Sequence, residues 1–124
     1  MQNDNEKFKM EFKKRLYKFV LRLIKFVESL PKNDSVCRII GDQLLRSGTS
    51  ILANYIEARS ASSKKDFINF FTHSLKSANE SKMWLCLLKD SGKGEKEELE
   101  YLLTELTEIA NVLATGILTL KGKK

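Results

Sequence analysis

The sequence predicts an all-α protein, an antiparallel up-down-up-down four-helix bundle, on three observations. A single proline occurs in 124 residues, where average usage would give roughly six. Three turn-rich breaks cut the chain into segments of matched length, and the last segment spaces its apolar residues in strict alternation of three and four. Because proline removes a backbone donor and clashes with the preceding turn, a chain nearly free of it suits long unbroken helices. The length is that of one domain over residues 1–124, since a single core grows comfortably to this size.

The first helix is expected over about residues 6–29, with Phe12, Leu16, Phe19, Val20, Leu23, Val27 and Leu30 on one side. At 100° per residue, Lys7, Lys14, Lys18, Arg22 and Lys25 fall on the opposite side, so the helix is amphipathic with a basic back. It ends in Ser29-Leu30-Pro31-Lys32-Asn33-Asp34-Ser35, which joins helix-stopping to helix-starting chemistry. The second helix is placed at about 35–59, with a core stripe of Cys37, Ile40, Leu44, Gly48, Ile51 and Tyr55. The break at Arg59-Ser60-Ala61-Ser62-Ser63 leads to a third helix at about 64–90, where Ser63 and Asp66 resemble a capping box with Asp in place of Glu. Phe67, Phe70, Phe71, Ser74, Ala78, Leu85 and Leu88 form its core face.

Two glycines in Ser91-Gly92-Lys93-Gly94 make the last break, and Glu95, Glu97 and Glu98 supply the negative charge that suits a helix start. The fourth helix, about 95–120, carries Leu99, Leu102, Leu106, Ile109, Leu113, Gly116 and Leu120 as a heptad seam. Segments of this length span ~35 to 40 Å at 1.5 Å per residue, and short loops between them make neighbours antiparallel.

Two helices carry more uncharged surface than one bundle buries. From Val36 to Ala58 only Arg38, Asp42, Arg46 and Glu57 are charged. Ile39, Arg46, Ser50, Ala53 and Glu57, with Asn54 at the margin, lie well around the cylinder from the core stripe. On the third helix Asn69, His73, Ser77, Glu80, Trp84 and Leu87 make a similar second stripe. Two readings stand: a wide core seam with hydrogen-bonded polar groups, or a subunit interface with Trp84 and Tyr55 as aromatic anchors.

The residues for catalysis are scarce, and no enzyme activity is expected. His73 is the single histidine, so the usual His-based metal set and the Glu-x-x-His pairs of di-metal bundles are missing. No strand precedes a glycine-rich phosphate loop. Glu57 and Glu80, with Ser50, Asn54 and Ser77 nearby, suit a polar cluster better than an acid pair. Cys37 and Cys86 lack zinc spacing and a disulfide framework, and both are expected to be partly buried thiols. No cofactor and no metal are expected.

The polar start Met1–Glu6 lacks the basic and apolar regions of a secretory signal, which predicts a cytoplasmic protein. The uncharged stretch 109–120 is 12 residues long, short of the ~20 a membrane span needs. The formal charge is +6, and residues 1–30 hold eight basic groups against four acidic ones, with a further cluster at Lys121, Lys123 and Lys124. Such a stripe is either a solvated outer face or a surface that neutralises phosphates of RNA or DNA without reading sequence.

The middle of the chain adds a resemblance. The run Ser50-Ile51-x-x-Asn54-x-x-Glu57, preceded by Arg46, is followed by Asp66-Phe67 and by Glu80-x-x-x-Trp84. Over about residues 45–88 this resembles the bacterial four-helix-bundle family named after proteins encoded in 23S rRNA intervening sequences. The resemblance implies a four-helix protomer, a homo-oligomer that is often a cyclic pentamer, and no catalytic activity. Similar proteins include accessory variability proteins of diversity-generating retroelements, basic pentamers that bind a reverse transcriptase and nucleic acid. The motif or interface positions it singles out are Arg46, Ser50, Asn54, Glu57, Asp66, Phe67, Glu80 and Trp84. Two functions follow as expectations. One is a homo-oligomeric scaffold that binds RNA or DNA through Lys7, Lys14, Lys18, Arg22, Lys25, Lys121, Lys123 and Lys124. The other is a module that recruits a polypeptide such as a reverse transcriptase.

Overall fold

Each break in the sequence ends one helix and caps the next. The computed structural model describes residues 4–122 and contains α1 (Asp4–Ser29), α2 (Ser35–Arg59), α3 (Lys64–Asp90) and α4 (Lys96–Leu120). Asp34 is the N-cap of α2: one carboxylate oxygen accepts from the Cys37 N–H at 3.1 Å and the other from Lys93 Nζ at 2.6 Å. That second bond ties the start of α2 to the α3–α4 loop. Ser63 Oγ accepts from the Asp66 N–H at 3.1 Å, the forward half of a capping box. Glu95 caps α4 and accepts from the N–H groups of Glu97 and Glu98.

The α3–α4 loop needs its glycines. Gly92 and Gly94 adopt φ of 73° and 85°, a region that L side chains rarely enter. At Gly94 a Cβ would also stand 2.9 Å from Phe26 Cζ, so the loop lies directly on α1.

Consecutive helices run antiparallel, and α1 and α4 close the ring. Ring contacts link Phe12 of α1 to Tyr55 near the end of α2 and Tyr55 to Phe71 near the start of α3. Arg15 meets Glu105 while Arg22 meets Glu98, a register only an antiparallel α1–α4 pair allows. Leu16, Leu23, Leu44, Ile51, Leu85, Leu88, Leu102, Leu106, Ile109 and Leu113 are fully buried in one shared core. By length and composition alone α4 is apolar enough to cross a membrane, as the core helix of a bundle also is. Here its Leu99, Leu102, Leu106 and Leu113 face that core.

The spacing between helices follows side-chain size. Along α2–α3, Ser47 and Ser81 hydrogen-bond at 2.7 Å and Ser74 Oγ donates to the Ile51 carbonyl at 2.7 Å. These small buried hydroxyls bring the backbones close, and no buried side-chain polar atom among the described residues lacks a partner. The α1–α4 pair is bridged instead by long ion pairs, with the Arg15 guanidinium on both oxygens of Glu105.

Four expectations change. Tyr55 is only 2% exposed; its ring fills the core and its hydroxyl donates to the Lys9 carbonyl at 3.3 Å, so it cannot anchor a subunit interface. Cys37 is buried but Cys86 is exposed, because it lies on the outer side of α3. Phe26 joins the core while Val27 is half-buried, since the α3–α4 loop covers Phe26. At the end of α4 the seam moves from Gly116 to the buried Ile117, as an unsupercoiled helix drifts ~20° per heptad.

Candidate nucleic-acid interface

The basic side of α1 borders a groove of about 470 Å³ between α1 and α4, lined by Glu11, Lys14, Arg15, Lys18, Phe19, Arg22, Tyr101 and Glu105. The arginines and lysines here differ in availability. Arg15 is held by Glu105 at 2.7 Å and Glu108 at 3.0 Å. The Glu105 hydrogen bond raises the Arg15 pKa, and the Arg15 hydrogen bond holds Glu105 below its ordinary value. Arg22 forks onto both oxygens of Glu98 at 2.7 and 2.9 Å and lies 3.5 Å above the Tyr101 ring. Its charge is thus largely answered within the protomer, contrary to the expectation that it is free for phosphate.

Lys7, Lys14, Lys18 and Lys25 are exposed, and among the described residues none of them forms an ion pair. They form a line of ammonium groups on the outer side of α1. Lys121 is exposed at the C-terminus of α4, at the same end of the bundle as Lys7. Lys123 and Lys124 lie outside the described residues.

The motif positions gather on a second surface, the α2–α3 face. Arg46 pairs with Glu80 and also donates to Gln43 at 3.0 Å. Glu80 in turn accepts from Trp84 Nε1 at 2.9 Å. One turn along, Ser77 Oγ donates to Ser50 Oγ at 2.9 Å, and Asn54 Nδ2 donates to the Ser50 hydroxyl and carbonyl at 2.9 Å each. Glu57 is exposed, and the α2–α3 register set by Ser47–Ser81, Ser50–Ser77 and Ile51–Ser74 places Glu80 beside Arg46 and Glu57 about three turns further along α2, so the two carboxylates do not form a pair. Asp66 serves the α3 cap, and Phe67 stacks on Phe71 with centroids 5.3 Å apart. Around the network Ile39, Met83 and Leu87 are 60%, 44% and 46% exposed. So the second stripes are hydrogen-bonded where they meet and apolar at their outer edges.

A model of the family described as 23S rRNA-intervening sequence protein matches residues 9–115. The chain belongs to that family. A crystal structure of a protein with unknown function from the S23 ribosomal protein family of Bacteroides thetaiotaomicron VPI-5482 matches it with a TM-score of 0.81 at 36% identity. The match covers 88% of this chain and 96% of that one. No curated protein matches the chain.

Two features of this chain carry no clear signal in the sequence. Tyr101, 47% exposed, stands in the α1–α4 groove beside Arg22; its place off the α4 heptad seam was the available signal. The other is a cleft of about 660 Å³ at the end of the bundle where α1 begins and α4 finishes. Phe12, Tyr55 and Phe71 pack there, and a Cβ on Gly116 would come within 2.6 Å of Phe71 Cε2. Among the described residues no group of three or more His, Cys, Asp or Glu is placed to hold a metal ion.

Proposed function

We propose that this member of the family is a non-enzymatic, homo-oligomeric scaffold that binds RNA or DNA through the lysines of α1 without reading sequence. The observation that carries the proposal is the contrast along that helix: Arg15 and Arg22 are engaged by carboxylates, whereas Lys7, Lys14, Lys18 and Lys25 are exposed and, among the described residues, form no ion pair. Phosphate binding draws on cations whose charge is not already neutralised, and lysine ammonium groups suit it without demanding a base-specific geometry. Assembly into a ring, a pentamer in line with the resemblance, repeats the stripe around the particle and turns a modest protomer field into a strong one. His73, the single histidine, is exposed on the outer side of α3, and a lone helical histidine suits a structural role better than a catalytic one.

The test is affinity for a labelled RNA measured against salt. Four phosphate contacts predict a loss on the order of a hundredfold between about 50 and about 200 mM salt. Absence of binding at low salt, or affinity indifferent to salt, refutes the proposal.

A second reading, a module that recruits a polypeptide such as a reverse transcriptase, draws on Tyr17 and Leu21, apolar side chains 57% and 46% exposed on α1. Capture of a purified polymerase with no retained nucleic acid would favour it.

A further inference from the structure

The cleft at the end of the bundle belongs neither to the lysine stripe nor to the α2–α3 face, and its chemistry is different. Its volume of about 660 Å³ lies within the ~300–1,000 Å³ of small-molecule sites. Phe8, Phe12, Tyr55, Phe67 and Phe71 give it five aromatic walls, and its charged lining groups are two cations, Lys9 and Arg59. Among the described residues no Asp or Glu is in the lining, and Glu6 approaches it only through Arg59, at 3.6 Å. We propose that this cleft binds an amphiphilic carboxylic acid, with the apolar body against the phenylalanines and the carboxylate at Arg59 and Lys9.

Three physical points support the assignment. Water against aromatic walls is displaced at a gain by an apolar body, and the few polar groups at the mouth then fix its orientation. The planar guanidinium of Arg59 matches a carboxylate with two parallel donors. Within the chain Arg59 stands 3.6 Å from Glu6 and also acts on the Tyr55 hydroxyl; the Glu6 contact is longer than a good hydrogen bond, so a carboxylate seated in the cleft competes with Glu6 for the guanidinium. Finally, the Tyr55 hydroxyl is directed to the Lys9 carbonyl, and burial raises its pKa, opposed by Arg59. It therefore stays neutral and does not repel an anion.

Titration calorimetry with decanoate, and with decanol as its neutral counterpart, tests the proposal. One decanoate per chain is expected, bound at least tenfold more tightly than decanol. The preference should vanish in the Lys9→Gln/Arg59→Gln double variant. Thr115 lines the cleft on the exposed side of α4, and Thr115→Trp should fill it and weaken decanoate at least tenfold. Methyl resonances of the unaltered protein provide a check that no variant can confound: Val112 and Leu120, in the lining, should shift with decanoate while Leu21 and Leu87 do not. Phosphatidylglycerol vesicles, anionic but lacking a free acid, should not compete. Equal affinity for acid and alcohol, shifts spread over the whole bundle, competition by the vesicles, or no binding each overturns the assignment.

Discussion

A methyl group on Gly48 would overlap Leu23 Cδ2, and Leu23 is fully buried, so the leucine cannot swing aside into solvent. In an open helix Gly→Ala is worth ~1 kcal/mol in favour of Ala, but overpacking of a filled core costs ~1–3 kcal/mol. Gly48→Ala is therefore expected to destabilise by about 1–2 kcal/mol in urea unfolding; a rise in stability would contradict the close α1–α2 approach inferred here. The ion pairs act through pH instead. Arg15 and Arg22 hold Glu105 and Glu98 below the ordinary 4.5, and Lys93 holds Asp34 below 3.8. A carboxylate with a lowered folded pKa binds fewer protons than in the unfolded chain, so it stabilises above its unfolded value and loses that contribution as pH falls through the folded one. The urea midpoint should stay level from about pH 7 to about pH 5 and drop below about pH 4.5. Glu105→Gln should be less stable at neutral pH by about 1 kcal/mol, with a shallower acid slope; an unchanged slope would show that the pair does not couple to folding.

At the scale of the helix, the availability of the α1 lysines separates a binding surface from net charge. Reversing Lys7, Lys14, Lys18 and Lys25 to Glu should abolish RNA binding and leave the circular dichroism spectrum unchanged, since all four side chains are exposed. Reversing Lys64, Lys65, Lys76 and Lys89, equally exposed on α3, makes the same change in charge and should retain most of the affinity. Equal losses in the two sets would assign binding to the overall field. The helix ends were legible in the sequence because capping is local: Asp34 and Ser63 each reach an N–H three residues on. The α4 seam was legible because periodicity is local too, until helical drift moved it onto Ile117. The state of Arg22 was not, because Glu98 is 76 residues away and their meeting depends on how α1 and α4 align. Tyr55 failed for a related reason. It belongs to the core stripe by phase, and only the packing of Phe12 and Phe71 around it decides that it turns to the core and the end cleft, not to a partner subunit. The end cleft likewise depends on four helix ends converging, which no single segment encodes.

For the whole molecule, the α2–α3 face joins the question of assembly to that of binding. Ile39, Met83 and Leu87 are exposed there, Ala53 is exposed further along α2 beyond Ser50, and Trp84 is half-buried with its indole N–H on Glu80. An apolar edge around a satisfied polar centre resembles the composition of a subunit contact, where aromatic anchors carry most of the energy. Ala53→Arg places a long charged side chain on that face without touching the protomer core, and light scattering should report a smaller particle with unchanged helicity. Trp84→Ala should do the same with some loss of protomer stability, because Trp84 also packs against the core. An unchanged mass in both variants, or a monomeric native protein, would refute the interface. The two proposals also meet in one measurement. Ala53→Arg makes each protomer more basic, so an isolated electrostatic effect would strengthen RNA binding. If assembly supplies the affinity, splitting the ring removes the simultaneous engagement of several stripes, which is worth up to ~10²–10⁴ in avidity. The more basic variant should then bind RNA more weakly and lose less affinity with added salt; tighter binding by a dissociated Ala53→Arg protein would show that each protomer acts alone.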